Sequence, residues 1–96
     1  MKPVTSLVKS EILEGLASRS NFRYGQEISK EATFTIEKSN SFNIIARIVF
    51  RNSETRTAEL SSTPKGLRWK CSCTGRKDLF CKHCVALGFY ILREKM

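Results

Sequence analysis

The apolar residues of this 96-residue chain follow a helical period first, then an alternating period, and then a helical period again. Residues 4–17 have helical spacing, and the apolar residues that share one face are Val8, Ile12, Leu13, Leu16 and Ala17. Residues 18–30 contain mostly polar side chains, and we predict a turn or a short second helix there. The N-terminal third of the chain is therefore predicted to be helical.

Between residues 32 and 73 apolar and polar side chains alternate, which is the period of a strand with one buried face. Turn-forming residues at 39–41, 52–54 and 64–66 divide this stretch into four strands. The longest strand, residues 42–51, places five apolar side chains on one face: Phe42, Ile44, Ala46, Ile48 and Phe50. Short connections join antiparallel neighbours, so the pattern predicts a four-stranded antiparallel meander.

Residues 82–93 return to helical spacing, and residues 85–92 are apolar almost throughout. A helix this apolar packs on more than one side, against the sheet and against either the N-terminal helix or a partner. The predicted fold class is α+β, with helices before and after the meander. We expect one domain over residues 1–96, with a helical part (1–31), a strand part (32–66) and a metal-binding part (67–96).

Four side chains near the C-terminus have the spacing C-x-C-x7-C-x-H, and these are Cys71, Cys73, Cys81 and His83. Cys71 and Cys73 are two residues apart, so both point to the same side of the last strand, together with Trp69. Cys81 and His83 reach one ion only if Cys81 precedes the final helix and His83 lies in its first turn. Three thiolates and one imidazole complete a tetrahedral zinc site, so we expect one structural zinc ion.

Cys84 leaves an alternative open, because Cys81 and Cys84 form a C-x-x-C pair that could complete a four-cysteine site without His83. We favour His83, which is the single histidine of the sequence, and interpret Cys84 as a small buried apolar residue. The sequence shows neither a secretory signal nor an apolar stretch long enough to span a membrane. We therefore expect an intracellular protein, located in the cytoplasm, the nucleoid or the nucleus, in which clustered cysteines bind metal.

The net charge of +8 is unevenly distributed. Residues 1–63 carry nine Lys/Arg and seven Asp/Glu, whereas residues 64–96 carry eight Lys/Arg and two Asp/Glu. The basic residues around the metal motif are Lys65, Arg68, Lys70, Arg76, Lys77 and Lys82. Such a cluster suits a polyanionic partner, most simply nucleic acid, and the alternative is a solvated basic face without a partner.

The strings WKCSC at residues 69–73 and CKHCVA at residues 81–86 resemble the SWIM zinc finger. Its pattern is C-x-C-x(n)-C-x-H, often followed by an alanine three residues after the histidine, which here is Ala86. The resemblance covers roughly residues 67–92, and Cys84 departs from the pattern. It implies a ββα zinc module without catalytic activity, as found in SWI2/SNF2 ATPases, transposases, signalling kinases and partners of RecA-family recombinase paralogues. Modules of this family bind DNA or other proteins.

The function we favour is a DNA-binding adaptor in a repair, recombination or remodelling complex. The basic residues named above would contact phosphates of single- or double-stranded DNA, since the apolar final helix is unsuited to reading a major groove. Phe22 and Tyr24, beside Arg19 and Arg23, are a further candidate for stacking single-stranded bases.

Two other classes of function compete with this one. The chain could be a protein-interaction module that docks through Leu87, Ile91 and Leu92 of the final helix. Its partner would then be a RecA-family recombinase paralogue or a SWI2/SNF2-type ATPase, as the resemblance implies. An enzyme would need His83 as a base for a thiol nucleophile, or a redox C-x-x-C pair. Zinc would occupy the thiols, so we expect no catalytic activity.

Overall fold

The computed structural model describes residues 2–73 and 80–94. Within these residues the elements are α1 (Val4–Leu7), α2 (Ser10–Leu16), α3 (Arg19–Glu31), β1 (Thr33–Asn40), β2 (Asn43–Val49), β3 (Thr55–Thr63), β4 (Gly66–Cys71) and α4 (Lys82–Glu94). The sheet is antiparallel in the order β1-β2-β3-β4, so the predicted α+β class and four-stranded meander are confirmed. Among the described helices, none has the length and apolar character needed to cross a membrane.

We predicted one continuous helix for residues 4–17, and this was wrong, because the segment forms two short helices, α1 and α2. Val8 and Lys9 have extended backbone between α1 and α2. On one continuous helix, at about 100° per residue, Leu13 would lie about 140° around the axis from Val8. Val4, Val8 and Leu13 are all buried in the same core. The extended residues therefore turn α2 so that Leu13 faces the core as Val4 and Val8 do.

The polar segment predicted as a turn or short helix forms α3, a helix of 13 residues. Ser18 caps its start, because the Ser18 side chain accepts a hydrogen bond from the backbone N–H of Asn21 at 3.1 Å. α3 packs on α4, where the Phe22 ring lies 5.5 Å from the ring of Phe89 and Gly25 is buried. A glycine makes the close contact between the two helices, so a search for large apolar residues misses this buried face.

One face of the sheet, called here the inner face, forms the core with α4. The apolar residues of β2 and β3 that are buried on it are Ile44, Ala46, Ile48, Ala58 and Leu60. Two predicted members of the inner face lie outside β2, since Phe50 is half-buried beyond its end and Phe42 is 45% exposed in the β1–β2 turn. The backbone N–H of Phe42 donates to Oδ1 of Asn40 at 2.9 Å, which holds Phe42 in the turn.

The predicted C-terminal helix is α4, and it packs against both the sheet and α3. The Tyr90 ring stacks on Phe34 of β1, with 4.5 Å between the ring centroids. Of the three residues considered for partner docking, Leu87 and Ile91 are buried in the core and Leu92 is 38% exposed. The chain itself therefore covers most of the apolar surface that docking through α4 would require.

Two helical glycines give a matched test of the α3–α4 contact. A methyl group at Gly25 would collide with the Val85 side chain and approach the Lys82 carbonyl oxygen to 2.9 Å, whereas one at Gly15 meets nothing within 4 Å. We expect Gly25→Ala to lower the free energy of unfolding by about 1–3 kcal/mol through overpacking. Gly15→Ala should leave it unchanged or raise it by up to about 1 kcal/mol. Urea unfolding followed by circular dichroism measures both, and equal stabilities would contradict the close contact.

Candidate metal centre

The end of β4 and the start of α4 bring the four predicted ligands together. Cys71 is the last residue of β4 and Cys73 follows it, while Cys81 immediately precedes α4 and His83 lies in its first turn. The ligand atoms of these four residues all lie within 4.8 Å of one another. Cys81 before α4 and His83 in its first turn are the positions from which these two side chains can reach one ion.

The separations between the ligand atoms fit a single tetrahedral ion. Nδ1 of His83 lies 3.5 Å from Sγ of Cys71 and 3.7 Å from Sγ of Cys81. Zinc bonds of about 2.3 Å to sulfur and about 2.0–2.1 Å to nitrogen, at tetrahedral angles, separate the two ligand atoms by about 3.6 Å. The four side chains can therefore hold one metal ion without a large rearrangement.

Aromatic rings pack around the centre and connect it to the core. Phe80, which is fully buried, meets the Trp69 ring edge to face at 5.0 Å. The His83 ring lies 5.7 Å from the ring of Phe50, also edge to face. His83 is 6% exposed and Cys81 is 7% exposed, so both ligands at the start of α4 are largely shielded from water. The contact with Phe50 limits how the imidazole ring of His83 can move.

Cys84 lies next to the centre but outside the group of four ligand atoms. Its sulfur is 3.8 Å from Sγ of Cys81 and 3.8 Å from the backbone oxygen of Lys70, and the residue is fully buried. His83 directs Nδ1 towards Cys71 and Cys81, as a ligand would. The geometry therefore favours the site with His83 over the four-cysteine alternative.

Hydrogen bonds among the thiols move their pKa values in opposite directions. The hydrogen bond with Cys71, and a second one with Cys84, hold the pKa of Cys81 well below its usual range. The hydrogen bond with Cys81 raises the pKa of Cys71 to about 12, and hydrogen bonds to Cys71 and Cys81 raise that of Cys84. The negative charge of the cluster is thus centred on Cys81, at the helix N-terminus, where the helix dipole favours an anion.

A groove of about 760 Å³ lies beside the centre. Cys73, Cys81 and His83 line it, between a wall from α3 that includes Tyr24 and a wall from the β2–β3 connection that includes Arg51. The lining residues that carry charge are Glu27, Glu31, Glu54, Arg51, Arg56 and Lys82. Acidic and basic residues are equal in number, so the groove has no marked excess of either charge. Sequence reasoning missed it, because it forms where segments distant in the chain approach one another.

The structure places the predicted nucleic-acid-binding residues on different sides of the molecule. Arg68 and Lys70 alternate along β4 with Trp69, which packs against the core, so they lie exposed on the outer face of the sheet. Lys65 is exposed in the β3–β4 turn. Side chains alternate between the two faces of β4, and Trp69 and Cys71 lie on the inner face. The sequence alone could therefore have predicted that Arg68 and Lys70 lie on the opposite face from the candidate ligands.

Lys82 lies on the helix side of the sheet, beside the groove. Its ammonium group is 5.9 Å from the centroid of the Tyr24 ring. Tyr24 is 58% exposed, whereas Phe22, the other aromatic residue considered for base stacking, is partly buried against the core. Arg76 and Lys77 lie outside the described residues. Tyr24 is therefore exposed enough to stack on a base, whereas Phe22 packs in the protein and is not.

Comparisons with models of protein families, with curated proteins and with solved structures find no significant match for the chain. The interpretation of the site therefore depends on its own residues and their geometry. These residues establish a cluster of three cysteines and one histidine at metal-binding distance, between the last strand and the last helix.

The ligand assignment can be tested with two neighbouring substitutions. We expect His83→Ala to weaken zinc affinity by more than about 100-fold, which exceeds the 10–100-fold loss typical of groups that only support a ligand. Cys84→Ala should still bind one zinc ion. Competition with a chromogenic chelator gives the affinities, and mass spectrometry of the metal content gives the stoichiometry. A His83→Ala protein with its zinc intact, beside a Cys84→Ala protein without it, would show that Cys84 is the fourth ligand.

Zinc binding should release a proton from Cys71 and weaken as the pH falls. Because its pKa is raised to about 12, the Cys71 thiol is protonated at neutral pH and must ionise to bind the metal. The lowered pKa of the Cys81 thiol favours its thiolate, so we expect Cys81 to release fewer protons than Cys71. The affinity should fall about tenfold per pH unit for each proton released. Calorimetry in buffers of different ionisation enthalpy counts these protons, and an affinity independent of pH would contradict the expectation.

Proposed function

We propose that the chain is a non-catalytic zinc-binding module of the SWIM type that binds DNA without base recognition. The observation that carries the proposal is the alternation along β4, where the exposed Arg68 and Lys70 stand beside Trp69 and Cys71. Lys70 immediately precedes Cys71, whereas Lys82, between Cys81 and His83, lies beside the groove and is not part of the proposed surface. An ion that holds the ligands in place also fixes the backbone of the basic residues beside them.

The donor set favours zinc over other ions. Thiolate and imidazole ligands suit zinc, whereas magnesium and calcium take oxygen ligands. Four protein ligands complete a tetrahedral coordination shell, so neither water nor a substrate has a position on the metal. When bound, the ion would link the end of β4 to the first turn of α4 and contribute stability, and this closed site supports a structural role.

The DNA-binding surface that we propose is the outer face of the sheet, and its basic residues are Lys38, Arg47, Arg68 and Lys70. Arg47 forms an ion pair with Glu37 at 2.9 Å. Within residues 2–73 and 80–94, neither Arg68 nor Lys70 forms an ion pair. Glu59 faces Lys70 across the strand pair, but its carboxylate accepts hydrogen bonds from Asn43 and Ser61. Arg68 and Lys70 are thus the best candidates to contact phosphates.

This surface suits contact with the DNA backbone and lacks the means to read bases. α4 is buried between the sheet and α3, so it cannot enter a major groove. Basic side chains on a sheet face neutralise phosphates, which gives affinity with little dependence on sequence and strong dependence on salt. Sequence-independent binding is therefore part of the proposal.

The proposed cellular role follows from the resemblance to SWIM modules. An adaptor of this kind would hold a RecA-family recombinase paralogue or a SWI2/SNF2-type ATPase on DNA, during repair, recombination or remodelling inside the cell. The competing function, docking of a partner on the apolar face of α4, loses support because Leu87 and Ile91 are buried. A partner of the adaptor would contact another part of the surface.

A salt series of fluorescence-anisotropy titrations tests DNA binding by the zinc-loaded protein. Labelled single strands and duplexes are each titrated with the original protein and with a variant that combines Arg68→Gln and Lys70→Gln. Each lost phosphate contact lowers the slope of log affinity against log salt by about 1, so we expect this variant to lower it by about 2. It should weaken binding to all sequences alike.

The matched control combines Lys9→Gln and Lys30→Gln, which changes the net charge equally. Both lysines are exposed, one just before α2 and the other in the last turn of α3. We expect the control to bind DNA nearly as the original protein does. Equal weakening in both variants would indicate a general effect of charge, and no binding at low salt would contradict the proposed function.

A further inference from the structure

We propose that Cys81 and Cys84 are a peroxide-sensitive thiol pair, which oxidation joins in a disulfide so that the metal centre opens. The inference rests on the zinc centre of the proposed function and extends it to regulation of that site. Its starting point is that Cys84, a fully buried thiol, stands beside the ligands without being one of them. The centre needs only four ligand atoms, three sulfurs and one nitrogen, so the fourth sulfur next to it is available for other chemistry.

The two sulfurs are already close. Their separation of 3.8 Å has to shorten to about 2.05 Å for a disulfide, a movement that side-chain rotation can supply. Cys81 immediately precedes α4 and Cys84 lies in its first turn, so the pair is a C-x-x-C at a helix N-terminus. This is the spacing with which disulfide oxidoreductases form and break their disulfides.

The groove gives an oxidant access to one member of the pair. Cys81 lines the groove and is 7% exposed, whereas Cys84 is fully buried and does not line it. Of this pair it is therefore Cys81 that a small peroxide in the groove can reach. Cys73 also lines the groove, but the sulfur that lies 3.8 Å from Cys84 is that of Cys81. Cys81 thus lies where a peroxide can oxidise it, and Cys84 lies where it can react with the oxidised Cys81 sulfur.

The proposed oxidant is a peroxide, and the chemistry takes two steps. The Cys81 sulfur, present as a metal-bound thiolate, attacks one peroxide oxygen, the O–O bond breaks, and the other oxygen leaves as hydroxide or alkoxide. Cys81 gives up two electrons and becomes a sulfenic acid, whose proton is the one that the attacked oxygen already carried. The Cys84 sulfur then attacks the Cys81 sulfur, the S–S bond forms, and the S–OH bond breaks. The hydroxide that leaves takes the Cys84 thiol proton and departs as water.

The disulfide would remove Cys81 from the ligand set and leave three donors. Cys71 and Cys73 are held by the ion as ligands, so either would first have to leave the metal to attack Cys81. Cys84 has no such bond to break, which is why we expect it to react first. Loss of the ion then separates the end of β4 from the start of α4, and a thiol reductant reverses the change.

The experiment treats the zinc-loaded protein with hydrogen peroxide and follows zinc release with a chromogenic chelator. Thiols are then alkylated, and the disulfide is located by mass spectrometry of peptides. We expect zinc release to accompany a single disulfide between Cys81 and Cys84, and we expect a thiol reductant to restore zinc binding. In Cys84→Ala, dimedone should label Cys81 as a sulfenic acid, a product that scarcely accumulates in the original protein.

Three results would overturn the inference. They are a first disulfide between two ligands with Cys84 still reduced, zinc release without any disulfide, and no reaction with excess peroxide. Cys84→Ser, which keeps the size of the side chain, repeats the test if Cys84→Ala fails to fold. A protein that binds no zinc at the outset would overturn both this inference and the proposed zinc centre. Bound zinc with oxidation at other positions would overturn the inference alone.

Discussion

The approach of the end of β4 to the first turn of α4 is the contact on which the metal centre depends. Two of the four candidate ligands lie at or just after the end of β4 and two lie just before or in the first turn of α4, and neither pair suffices for a tetrahedral ion. The core brings them together, because α4 is apolar on several sides and packs between the sheet and α3. Hydrophobic burial therefore positions the metal centre, and a bound ion in turn would fix the two elements at this point.

The two faces of the sheet differ in what their side chains do, because alternate residues of each strand point to opposite faces. On β4, Trp69 and Cys71 belong to the core and the metal centre, while Arg68 and Lys70, which alternate with them, are exposed to solvent. A shift of the strand by one residue would exchange these two sets. The same register thus sets both the ligand geometry and the charge of the outer face.

Patterns within short segments were sufficient to predict the meander, α4 and the cluster of three cysteines and one histidine, because each depends on spacing along one stretch of chain. The break at Val8 and Lys9 was beyond such reasoning, since it arises from the need to bury Leu13 in a core that distant strands form. The full length of α3 was missed because its closest contact is made by Gly25. The groove depends on three separate segments, and no local pattern encodes it.

The contact at Gly25 bears on how a metal ion would enter and leave the candidate centre. α3 approaches the backbone of Lys82, the residue between Cys81 and His83, so packing that does not involve the ion holds this part of the chain. Half of the ligand set is therefore ordered in advance by helix packing, and little conformational entropy remains to be lost there when the ion arrives. Uptake and loss of an ion would then be local events at the end of β4, and the sheet and its helices would stay folded meanwhile.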